Sequence, residues 1–172
     1  METTQPNRTI FLIEGILFII LGLFAVALPA FFTLSIELFL GWLLLIGGII
    51  QMYRTFTSTH TDSFYPFLIG SAASIVAGIL LLAYPLTGII TLTLLLAVYF
   101  LVEGIAKMIV AMQWKPTTNW GWLFLSGVIS VILAGLILSG FPGTAVWVIG
   151  LLVGINMLFF GWSLIALSLV QR

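Results

Sequence analysis

Six long apolar runs alternate with short breaks along the chain: Ile10–Leu28, Phe32–Tyr53, Phe64–Tyr84, Thr87–Met112, Trp120–Phe141 and Gly143–Leu169. The breaks are of two kinds. Pro29, Pro85 and Pro142 mark tight turns without charge, whereas Arg54–Ser63 and Lys115–Asn119 are polar loops. At about 1.5 Å per residue the first run reaches roughly 28 Å, enough to cross a bilayer core. Proline ends a run because it lacks the amide hydrogen and restricts the residue before it. The pattern predicts six transmembrane helices arranged as hairpins around the prolines.

The pattern also repeats. Gly22, Pro29, Gly41 and Gly48 recur as Gly78, Pro85, Ala97 and Gly104, and again as Gly135, Pro142, Gly154 and Gly161. The step is 56 residues from Pro29 to Pro85 and 57 from Pro85 to Pro142. A period held at several positions signals an internal-repeat architecture. The expected fold is an all-α membrane protein, one transmembrane domain over 1–172 with copies at 8–54, 64–111 and 120–168. Three parallel-repeat helical hairpins imply a pseudo-three-fold arrangement about the membrane normal.

Small residues hold a register within the repeat. Gly41/Gly48, Ala97/Gly104 and Gly154/Gly161 are each seven apart, on one helix face. Gly150 and Gly154, Ser74 and Gly78, and Ser130 and Ala134 add pairs four apart. Lipid supplies no hydrophobic force between helices, so close backbone contact must supply dispersion. Gly22, Gly41, Gly48, Gly78, Gly104, Gly135, Gly154 and Gly161 are the expected packing positions.

Composition agrees with a lipid solvent: 62% of residues are hydrophobic and 6% charged, far below the roughly one quarter charged in soluble domains. Cysteine is absent, which excludes disulfides and thiolate sites. Five basic residues and zero net charge make no nucleic-acid surface. Arg8 followed by an apolar core and Ala25-Val26-Ala27 resembles a signal peptide. Recurrence of the Gly-to-Pro segment inside the chain argues instead for a retained helix. Arg8, Arg54, Lys107, Lys115 and Arg172 all lie toward one set of ends, and the proline turns carry no charge. The positive-inside rule then places both termini in the cytoplasm. Tyr53, Tyr65, Trp114, Trp120 and Trp122 on that side, with Phe31, Phe32, Tyr84, Phe141 and Trp147 on the other, suit aromatic belts.

The Gly22–Pro29–Gly41–Gly48 pattern, repeated with short loops in a six-span chain, resembles the HdeD family. The resemblance covers about Arg8 to Leu169. It implies a multi-pass protein of the bacterial inner membrane with a role in acid resistance and stress response. It carries no catalytic motif and no functional residues to transfer. Ala97 replaces glycine in the second copy, and Glu14 stands where the others have Gly70 and Gly127.

Four charged side chains fall within the apolar runs: Glu14, Glu37, Glu103 and Lys107. Such residues are costly in lipid and are functional candidates by default. Glu103 and Lys107, four apart in the favourable order, read as a structural ion pair with Lys107 reaching toward the interface. Glu14 is solvated by headgroups or joins Lys107 across helices. Glu37 sits on the outer half with no cation in any outer turn. It is either a neutral carboxyl bonded to a neighbouring helix or a group that responds to external protons. Asn156 reads as an interhelical hydrogen-bonding residue, and His60 as a solvated loop residue.

No nucleotide loop, metal-ligand cluster or nucleophile elbow is present, so neither a cofactor nor enzymatic activity is expected. Two readings remain. One is a structural, stress-protective membrane protein in contact with the lipid bilayer, forming a homo-oligomer through its glycine faces. The other is a small transporter or channel for protons or weak acids. A shared polar cavity joining Glu14, Glu37, Glu103 and Asn156 would separate them.

Overall fold

Proline at the start of a helix costs nothing, because the first amide has no acceptor there in any case. Pro29 and Pro85 occupy that place. A computed structural model describes residues 8–57, 64–116 and 119–170. Among these are six α-helices and no strand: α1 (Arg8–Ala27), α2 (Pro29–Thr57), α3 (Phe64–Ala83), α4 (Pro85–Gln113), α5 (Trp120–Ser139) and α6 (Ala145–Val170). All six are long and apolar enough to cross a membrane. Phe39, Leu95 and Phe159 are among the large side chains exposed on their surfaces.

A single residue, Leu28 or Tyr84, separates the helices at the first two proline turns. Hydrogen bonding barely lapses there: Tyr84 N donates to Leu80 O at 3.0 Å, and Gly88 N to Tyr84 O at 2.9 Å. The third turn is longer. α5 ends at Ser139 and α6 begins at Ala145, with Thr144 Oγ1 donating to Ile137 O at 2.7 Å to close the link. Pro142 lies inside this turn and does not open a helix.

The helices fall into two compact units. One holds α1, the first turn of α2 to Thr33, and α6 from Trp147; the other holds Leu34–Val146. In the first unit, α1 and α6 pack antiparallel through glycine. A Cβ on Gly15 would fall 2.8 Å from Gly161 O, and one on Gly22 2.9 Å from Gly154 O.

In the second unit, α2 and α3 meet the same way: a Cβ on Gly48 would lie 3.1 Å from Ser71 O, and one on Gly78 2.9 Å from Gly41 O. On α4 and α5, Gly104 and Gly127 face each other, each Cβ position 2.7 Å from the opposite carbonyl oxygen. Ala97 and Ala134 are fully buried. The serines at these faces behave as small residues. Ser71 Oγ donates to Leu68 O at 2.9 Å and Ser130 Oγ to Ser126 O at 3.1 Å, within their own helices.

Two expectations need correction. Gly135 is not a packing residue: it is exposed, and a Cβ there would meet open space. The step between α3 and α5 is 56, so Gly22 and Gly78 correspond to Ala134, and the added residue belongs to the longer third turn. For the same reason the packed set is Gly15, Ser71 and Gly127, not the neighbouring Glu14 and Gly70. The second correction concerns pairing. α3 and α4, joined by a proline turn, touch only lightly, whereas α4 packs extensively on α5 across the polar loop. A one-residue break leaves no length for two helices to turn back and lie side by side. The small residues therefore match α2 to α3 and α4 to α5 across the polar loops, and α1 to α6.

Candidate functional site

Glu37 lies on the third turn of α2 and is completely buried. Neither carboxyl oxygen has a hydrogen-bond partner among the described residues. Its Oε1 rests against Gly88 in the first turn of α4; a Cβ on Gly88 would come 2.5 Å from Oε1 and 2.8 Å from Leu81 Cδ2 of α3. Glycine at 88 is thus what makes room for the carboxyl. The Gly88 amide is already committed to Tyr84 O. A polar group buried without partners costs free energy, so its retention asks for a use.

The repeat shows what this position does elsewhere. Thr93 and Gly150 stand where Glu37 stands, one and two copies on. Thr93 is buried and donates from Oγ1 to Ala145 O at 3.4 Å, at the start of α6. Gly150 N donates to Thr33 Oγ1 at 2.9 Å, in the first turn of α2, and Gly150 lies flush against the Pro29 carbonyl. Each copy therefore sets this position against the first turn of another even-numbered helix. Only in the first copy is the group ionisable and left without a partner.

The other candidates lie elsewhere. Lys107 Nζ is 2.8 Å from Glu103 Oε1 and 3.3 Å from Ser126 Oγ of α5. Both charged side chains are about a third exposed, with Lys107 at 31% and Glu103 at 27%. Nearby in sequence, Lys115 Nζ stands 4.9 Å over the Trp120 ring, a cation–π contact. Glu14 is exposed on α1, and Asn156 is exposed on α6 rather than buried between helices. Glu37 and Glu103 do not form one site: Glu37 touches Gly88, and fifteen helical residues, roughly 22 Å, separate Gly88 from Glu103. His60 lies outside the described residues. Among the described residues no cluster of His, Asp or Glu could hold a metal.

Sequence spacing counted from the prolines does not single out Gly15, Ser71 or Gly88, nor the packing role of Gly127. Counting the repeat from the helix faces, not from the prolines, would have found all but Gly88.

The family model for a short repeat of unknown function (DUF308) matches residues 13–72 and 69–139. Protein HdeD of Escherichia coli K12 is 26% identical over 98% of this chain and 90% of its own length, and protein HdeD of Shigella flexneri matches equally. No solved structure matches. With two matched copies spanning most of the helices, the chain belongs to the DUF308 short-repeat family and is an HdeD-like multi-pass membrane protein.

Proposed function

We propose that this protein is a non-catalytic structural element of the bacterial inner membrane that protects the envelope during acid stress. The observation that carries this reading is the dispersion of its intramembrane polar groups. Glu103 is tied to Lys107, Glu14 and Asn156 are exposed, and Glu37 stands about 22 Å along α4 from Glu103. A conduction path needs polar groups in succession, and Glu37 and Glu103, which share a unit, do not follow one another. Cytoplasmic termini are part of the proposal and rest on the one-sided basic residues. Self-association through the glycine faces loses its basis, because those faces are occupied within the chain.

A second reading, conduction of protons or weak acids, is favoured by one observation: the buried, unpartnered Glu37. Reconstitution separates the two. Vesicles holding the full chain and a pH-sensitive dye should acidify no faster than empty vesicles under an imposed pH gradient, while expression of the protein raises acid survival of cells lacking it. A proton flux that Glu37→Gln abolishes would overturn the structural reading in favour of the second.

A further inference from the structure

The groove between α2 and α3 at their polar-loop end is about 550 Å³ and is lined by Gly47, Ile50, Gln51, Arg54, Thr55 and Phe67. Its floor is Gly47, where a Cβ would meet nothing within 4 Å. The other two copies show what fills this position. Gly47 corresponds to Glu103 and Phe160. Glu103 sends a carboxylate to Lys107, one turn further along α4. Phe160 packs edge-on against Phe18 of α1, ring centroids 5.0 Å apart. In the first copy the filling side chain is missing and Gln51 stands at the Lys107 position; the cation here is Arg54, on the same face seven residues beyond Gly47. It is exposed and makes no ion pair among the described residues.

We propose that this groove binds one anionic phospholipid, its phosphate on the Arg54 guanidinium and an acyl chain along Gly47, Ile50 and Phe67. The lining matches the ligand end to end. Arg54 in the last turn of α2 stands at headgroup level, where a planar guanidinium pairs with phosphate through two parallel hydrogen bonds. Gln51, one turn deeper and half-buried, offers an amide to the headgroup or glycerol oxygens. Thr55 is not a competing donor, since its Oγ1 is spent on Gln51 O at 2.9 Å. Below, Ile50 and Phe67 are apolar and exposed, as an acyl chain requires.

Native mass spectrometry of the full chain in neutral detergent, titrated with phosphatidylglycerol or phosphatidylcholine, tests this. One phosphatidylglycerol should be retained at a concentration about fivefold below phosphatidylcholine, the factor one basic residue supplies near an anionic surface. Arg54→Gln should abolish the preference, and Gly47→Leu should remove the bound lipid. Gly121→Leu, which adds the same bulk at another glycine with open space, should retain both. Arg54→Gln alters only an exposed side chain and carries the test should Gly47→Leu lose helicity. Equal retention of the two lipids, or a preference unchanged by Arg54→Gln, would overturn the proposal. Displacement of the lipid by millimolar inorganic phosphate would assign the site to free phosphate and overturn it equally.

Discussion

Replacing Gly104 with leucine should destabilise the protein by about 3 kcal/mol, the upper range for overpacking a close contact. A Cβ at this position would already stand 2.7 Å from Gly127 O and 2.8 Å from Val131 Cγ2. The first of these atoms is backbone and cannot turn aside, so α4 and α5 would have to separate. The loss should extend beyond one contact, because dispersion across the whole face depends on the helix separation. Gly135→Leu is the matched control. It lies on α5 in open space, and its effect should stay within about 0.5 kcal/mol. Thermal unfolding of both variants in the same detergent reads the difference. Equal losses would mean that glycine matters only for helix flexibility and not for contact.

Glu37→Gln should flatten the pH response of the protein's conformation and of acid survival, while Glu103→Gln should leave both responses intact. Glutamine keeps the shape of the protonated acid but cannot take or release a proton. Glu37 is buried with neither oxygen bonded, and the residue shown against its carboxyl, Gly88, is not titratable. Any change in its charge would therefore go uncompensated by a neighbour. Glu103 already has Lys107 at 2.8 Å, and the pair is partly exposed. Its loss should cost at most about 1 kcal/mol. Protease sensitivity across neutral to acidic pH, with acid survival at matched expression, measures both variants. Wild-type behaviour in Glu37→Gln would reduce the carboxyl to a packing residue.

Most of the architecture was legible because it follows from length and hydropathy. Six apolar runs gave six helices, and Pro29 and Pro85 marked two turns to within a residue. Pro142 is a poor marker of the repeat, because it lies inside the third turn and not at the start of α6. The third turn holds the extra residue, which shifted Gly135 into a place that Ala134 occupies.

Pairing was not legible for a physical reason. Sequence spacing shows that Gly41 and Gly48 share a face, but a face carries no record of which helix it meets. Only the distances show that Gly78 and Ser71 of α3 are the partners. The same holds for Glu37. Its lack of an outer cation could be read from charge positions, whereas the cavity made by Gly88 depends on how α2 crosses α4. An amide in a span usually bonds between helices, but Asn156 is exposed. Its position two residues past Gly154 turns it off the glycine face.

The central claim is that helices pair through glycine faces across the polar loops, and that the first and last helices form one further pair of the same kind. The chain has no cysteine, so introduced pairs report cleanly. Ala25 of α1 is the residue whose Cβ lies 2.9 Å from a Cβ built on Gly154 of α6. Leu81 of α3 stands likewise 3.3 Å from one built on Gly41 of α2. Oxidation of Ala25→Cys with Gly154→Cys, and separately of Leu81→Cys with Gly41→Cys, should give disulfides within single chains in native membranes. Both should run as monomers with altered mobility on non-reducing gels. Failure of the Ala25–Gly154 pair to cross-link, or its appearance only between two copies, would contradict the pairing of the terminal helices.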